Sequence, residues 1–141
     1  MTPCVEDLEV GTELPALVKH PTQVTLFRYS AVTWNGHRIH YDRDYAGTEG
    51  YPNVLVQGHL HGAYLTQMLL DWIGPGGMLQ RLAWSNRRPA YAADTLYCRG
   101  RIARLYEANG QHLADCEIWD ENQAGEICAR GTATVALRSR A

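Results

Sequence analysis

The stretch from Gly58 to Trp72, G-H-L-H-G-A-Y-L-T-Q-M-L-L-D-W, constrains the fold more than any other. It stops at Gly74-Pro75-Gly76-Gly77, the strongest breaker in the chain. Leu60, Ala63, Tyr64, Met68 and Trp72 share a face at helical spacing, while Leu65, Leu69 and Leu70 widen the apolar surface. A helix that is apolar on most sides must be covered on most sides, so the spacing predicts a central, buried helix. The rest of the chain has to supply that cover.

Downstream, turn signals separate four strand-like runs, at 78–84, 95–106, 112–119 and 126–137. Asn109-Gly110 is a strong hairpin turn, and Glu121-Asn122 with Gly125 marks another. Upstream, a turn at Gly11 leads into a short extended segment ending near Lys19, where Pro15 suits an edge position. Thr22 caps a helix running to Val32, with a loose apolar stripe of Val24, Leu26, Tyr29 and Ala31. Thr33 to Asp42 reads as a polar loop, after which Asp42 or Asp44 caps a short turn through Tyr45 and Ala46. Helices early, one buried helix, then an antiparallel meander make an α+β plan, with a sheet wrapping the helix. At 141 residues the chain suits a single domain over 1–141.

Composition removes several function classes. A formal charge of -2 predicts affinity for neither nucleic acid nor membrane. No apolar run is long enough to span a bilayer, and the acidic opening M-T-P-C-V-E-D-L-E-V lacks signal-peptide order. Cys4, Cys98, Cys116 and Cys128 are scattered without a C-x-x-C pair, which reads as reduced structural thiols in a cytoplasmic protein.

Acid/base potential is densest in T-W-N-G-H-R-I-H-Y-D, residues 33–42. An imidazole is the natural proton carrier near neutral pH, and His40 is the better base of the group. Asn35 lies five residues earlier, so a loop turning back brings its amide beside the ring. An amide holds a water but cannot take its proton. Asp42 either orients His40 or caps the following turn. Two rivals stand beside this reading. One is a surface loop whose histidines hydrogen-bond to backbone. The other is a metal site from His37, His40, His59 and His61, but no Cys or Glu stands beside them, so no metal is expected.

The second half of the site is the junction V-L-V-Q-G, residues 54–58, that opens the long helix. N–H groups in a helix's first turn are unpaired and the dipole there favours negative charge. A glycine at that point lets a substrate carbonyl come close; the plainer alternative is that Gly58 only permits a sharp turn.

The segment F-R-Y-S-A-V-T-W-N-G-H-R-I-H-Y-D-R-D-Y-A, followed by E-G-Y-P and V-L-V-Q-G, resembles the MaoC-like dehydratases. These are hot-dog-fold proteins that include the (R)-specific enoyl-CoA hydratases. The resemblance is to the branch holding mesaconyl-CoA and itaconyl-CoA hydratase-like proteins, and it is specific from Leu26 to about Leu70. The commoner motif is D-x-N-P-x-H, whose Asp and His activate water. Counting back from His40, its aspartate position holds Asn35, its asparagine position His37 and its proline position Arg38. The base is kept and the acid is not.

The resemblance implies a single hot dog with a long central helix wrapped by antiparallel sheet. It also implies reversible hydration of an α,β-unsaturated acyl-CoA: His40 takes the water proton, Asn35 fixes the water and Gly58 N–H holds the thioester oxygen. His37, Trp34, Gln57 and His59 are expected near substrate, with Arg87 and Arg88 as phosphate contacts unless they are merely solvated charges. Coenzyme A enters as part of the substrate and no separate cofactor is expected. The partner implied is a second hot dog, either a homodimer or a heteromer with a different subunit. The rival functions are a non-catalytic or partner-dependent acyl-CoA-binding subunit, and an acyl-CoA thioesterase.

Overall fold

The computed structural model describes residues 2–140; Met1 and Ala141, the ends of the expected domain, lie outside the described residues. In chain order the elements are β1 (Leu17–Lys19), α1 (Gln23–Thr33), α2 (Arg43–Thr48), α3 (Gly58–Ile73), β2 (Met78–Asn86), β3 (Leu96–Ala108), β4 (Gln111–Glu121) and β5 (Ile127–Leu137). Short 3-10 turns cover Val5–Asp7 and Arg38–His40, so part of the expected polar loop is helical.

The five strands form one antiparallel sheet in the order β1-β3-β4-β5-β2. Only β3, β4 and β5 follow one another as a meander. β2 pairs with β5, so the expectation of a simple meander from residue 78 onward is corrected. The left-handed pair Asn109 (φ 52°) and Gly110 (φ 74°) turns β3 into β4, as the Asn-Gly signal predicts.

Helix α3 lies across the sheet and touches every strand. Leu60, Tyr64, Leu65, Met68, Leu69, Trp72 and Ile73 are buried with Leu96, Cys98, Ile102, Ile118 and Val135 in one core. Each such Leu, Ile, Met or Val contributes about 1.5–3 kcal/mol by leaving water. Ala63 and Leu70 are exposed, contrary to the expected face, because they share with Gln67 and Asp71 the stripe turned to solvent. Gly62 permits the closest packing: a Cβ there would lie 2.3 Å from the Trp84 ring. The Trp84 indole N–H also donates to Gly58 O at 3.2 Å, locking β2 onto the first turn of α3.

The stripe expected on α1 is also corrected. Thr22 caps this helix through a reciprocal box with Thr25, but the inward residues are Leu26 and Ser30. Val24 and Ala31 face solvent, and Tyr29 is half-buried. A polar residue occupies the inward face because Gln57 reaches it from the α3 junction. All four cysteines are free and buried, and burial pushes the Cys98, Cys116 and Cys128 thiols up to about 12.

Candidate active site

The junction before α3 is held on both sides by backbone. Val56 N–H donates to Ala90 O at 2.8 Å, and Ala92 N–H donates to Val54 O at 3.0 Å. Leu55 N–H donates to Ile39 O at 3.0 Å, which ties the junction to the Arg38–His40 turn. His40 completes the tie, its Nδ1 lying 2.8 Å from Leu55 O. A carbonyl only accepts, so Nδ1 carries the proton and Nε2 keeps its lone pair. Burial lowers the His40 pKa from its ordinary value; the bond to Leu55 pulls it partly back up, and neighbouring His37 pushes it down. The ring is therefore neutral at neutral pH, with a fixed tautomer and a free basic nitrogen.

Asn35 closes the C-terminal end of α1. Trp34 adopts the left-handed conformation (φ 55°) and Asn35 N–H donates back to Ser30 O at 3.0 Å. The Asn35 side-chain oxygen accepts from His37 N–H at 3.3 Å, which leaves its amide hydrogens for another partner. The His37 and His40 rings are 5.8 Å apart, edge to face. His37 Nε2 also sits 3.5 Å from Glu49 Oε1. Asp42 does not orient His40: it accepts from Arg38 Nη2 at 2.6 Å and caps α2 through Tyr45 N–H at 3.0 Å.

Gly58 begins α3, and Gln57 at the cap position makes no side-chain cap. Leu60 N–H already turns back to Gln57 O at 3.0 Å, so the N–H groups of Gly58 and His59 have no backbone acceptor among the described residues. Asn86 packs directly against Gly58, where a Cβ would lie 2.3 Å from its side-chain nitrogen. Gln57 is turned inward. Its amide nitrogen donates to Leu26 O at 2.7 Å and Ser30 Oγ at 2.9 Å, and its oxygen is buried with no partner among the described residues.

The two halves meet in a cleft of about 620 Å³ lined by Tyr29, Thr33, Trp34, Asn35 and His59. A second hollow of about 460 Å³ shares Trp34 and Asn35 and adds Phe27, Ser30 and Tyr41. Trp34, Asn35 and His59 are thus brought together, and His37 contacts both Asn35 and His40. His40 and Gln57 are buried, and neither they nor Gly58 line the cleft or the second hollow. Arg87 and Arg88 do not line that cleft. Arg88 pairs with Glu126 at 2.7 Å, and Arg87 lines a separate hollow on the outer face of the sheet. The clustered histidines also part company: His61 turns away, its Nδ1 bonded to Asp120 Oδ2 at 2.5 Å, with both side chains buried. Asp120 was not legible as a site residue. The signal for the pair is a histidine on the inward stripe of an otherwise apolar helix.

Solved structures place this architecture among the hot-dog proteins. The (R)-hydratase from A. caviae involved in PHA biosynthesis superposes with a TM-score of 0.86 at 22% identity, covering 94% of this chain and 99% of that one. The sequence profile for hydroxyacyl-thioester dehydratase type 2 matches residues 12–92, and the chain belongs to that MaoC-like family. Mesaconyl-C(4)-CoA hydratase of Chloroflexus aurantiacus is 51% identical over 49 residues, 34% of this chain but only 18% of that enzyme's length. The 3-oxo-4,17-pregnadiene-20-carboxyl-CoA hydratase beta subunit of Mycobacterium tuberculosis is 24% identical over 131 residues, 93% of this chain and 96% of that one.

Proposed function

We propose that the protein adds water reversibly to an α,β-unsaturated acyl-CoA. The observation that carries this reading is His40, held by Leu55 O in the tautomer that leaves Nε2 basic, three residues of backbone from the free N–H of Gly58. His40 Nε2 removes a proton from water as the oxygen bonds to the β-carbon. The C=C pair then moves toward the thioester oxygen, which becomes an enolate held by the Gly58 and His59 N–H groups. Each such donor is worth roughly 3 kcal/mol in the transition state. Collapse of the enolate takes the proton from His40 to the α-carbon, restores the neutral ring and gives syn addition. One base suffices because the proton it takes is the proton it returns. Asn35 donates from its amide to the water oxygen, while Trp34 and the Phe27 side of the second hollow meet the acyl group.

Family membership supports the thioester class, and the names of the Chloroflexus and Mycobacterium relatives support a CoA thioester and hydration. The amide at Asn35 also favours a second reading, in which a partner hot dog completes the site; the Mycobacterium relative is itself a beta subunit. Coenzyme A is on this reading part of the substrate, the working form is a homodimer or a heteromer, and the four free thiols suit the cytoplasm. No helix among the described residues is long and apolar enough to cross a membrane. The test is a panel of short, branched and dicarboxylic enoyl-CoAs offered to the purified chain. Loss of enoyl absorbance means hydration and release of free thiol means hydrolysis. With neither, the partner-dependent reading replaces the first.

A further inference from the structure

A hollow of about 770 Å³ lies away from the cleft, on the outer face of the sheet. Its walls include Ser85, Arg87, Arg101, Trp119, Ile127 and Arg130. Cross-strand register builds it: Arg99 faces Trp119, Trp119 faces Arg130 and Arg130 faces Ser85. Directly opposed residues share a face about 5 Å apart, so one indole lies between two guanidinium groups. The charges in this region are not equal. Arg99 pairs with Glu121 at 2.6 Å and Arg101 with Glu117 at 2.6 Å. Arg87 and Arg130 are exposed and have no carboxylate within ion-pair distance among the described residues.

Two unpaired guanidinium groups beside a half-buried indole suit a planar ring joined to phosphates. Arginine binds phosphate through its fork of donors, and indole offers a stacking face. The volume falls within the range of roughly 300–1,000 Å³ usual for small-ligand sites. A long polyanion fits less well, because the chain carries a net charge of -2 and the unpaired cations are confined to one hollow. The hollow also adjoins the proposed reaction site. Trp84 contributes to its wall while its indole, on the helix side of the sheet, bonds Gly58 O, and at the end of β2 Arg87 follows Asn86, which packs on Gly58.

We propose that this outer-face hollow holds the adenosine 3′-phosphate 5′-diphosphate end of the CoA thioester, with adenine on Trp119 and phosphates on Arg87 and Arg130. The proposal rests on the thioester reading above. The pantetheine arm rounds the end of β2 at Asn86 to run from the hollow to Gly58.

The test is calorimetric titration of the whole chain with 3′,5′-ADP, with CoA and with pantetheine, for the parent and for Arg87→Gln/Arg130→Gln. The parent binds CoA and 3′,5′-ADP saturably and pantetheine far more weakly, and the double variant loses roughly tenfold or more in affinity for the two nucleotides. In turnover, the double variant raises KM for the enoyl-CoA by a similar factor with kcat unchanged, and leaves hydration of the N-acetylcysteamine thioester as in the parent. Nucleotide binding absent in the parent, or equal in the double variant, overturns the proposal. Turnover of the CoA thioester unaffected by the two substitutions also overturns it while leaving the hydratase reading intact. Nucleotide binding that depends on both arginines, without turnover of either thioester, supports the hollow and removes the hydratase reading instead.

Discussion

Asp120→Ala tests whether the buried His61–Asp120 pair is as costly to break as its surroundings imply. The Asp120 side chain is fully buried and that of His61 is 3% exposed. Truncation strands the Nδ1–H of His61 in the core, and breaking a buried pair in this way costs about 3–5 kcal/mol. It also removes Asp120 Oδ1, which is buried without a partner among the described residues, and its removal returns about 1 kcal/mol. The net loss is about 2–4 kcal/mol, or of the order of 10 °C in Tm for a chain of this size. Urea unfolding followed by far-UV circular dichroism at fixed protein concentration measures it, with the slope m unchanged. The double variant His61→Leu/Asp120→Leu regains most of the loss, since apolar groups replace both partners at once. Asp120→Ala within about 0.5 kcal/mol of the parent would refute the reasoning, as would a double variant less stable than the single.

Three further outcomes follow from the geometry. Because the folded pKa of His40 lies below its ordinary value, the unfolded chain binds the extra proton first as pH falls below about 6.5. Its contribution is therefore full above that pH and is lost on acidification, so urea midpoints of His40→Gln decline less steeply than those of the parent; identical acid limbs would contradict this. Gly62→Ala places a methyl in the Trp84 ring, which is itself tied to Gly58 O, and costs about 1–3 kcal/mol; a variant as stable as the parent in the same unfolding assay would show that β2 yields freely. With His37, His40, His59 and His61 turned to different neighbours, activity is expected to survive chelation, and elemental analysis finding stoichiometric zinc with activity lost to a chelator would reverse that expectation.

Local signals carried most of the fold. The run ending at Gly74-Pro75 becomes α3, and Asn109-Gly110 becomes the β3–β4 hairpin, because period and turn chemistry act within a few residues. The edge position of β2 beside β5 was not legible, since pairing across about fifty residues leaves no local mark. The inward face of α1 is not legible for a related reason: the partner of buried Ser30 is Gln57, 27 residues away, which donates to its hydroxyl. Within the site, His40 and Gly58 stand out by residue type and place, but the Leu55 carbonyl that sets the tautomer is backbone and leaves no trace in composition. Asp120 acquires its partner His61 through the packing of α3 on the sheet, and Arg130 its neighbour Trp119 through strand register.

The most direct measurement is kcat/KM for hydration of the best enoyl-CoA by the parent, His40→Ala and Asn35→Ala, with circular dichroism confirming the fold of each. General-base work is worth about 10²–10⁴ in rate, whereas one neutral hydrogen bond is worth about 1 kcal/mol, roughly fivefold. The account predicts that His40→Ala loses at least a hundredfold and Asn35→Ala only about fivefold. It also predicts that the parent rate rises with pH through a single ionisation displaced below the ordinary histidine value. A folded His40→Ala chain that hydrates at the parent rate would contradict the account.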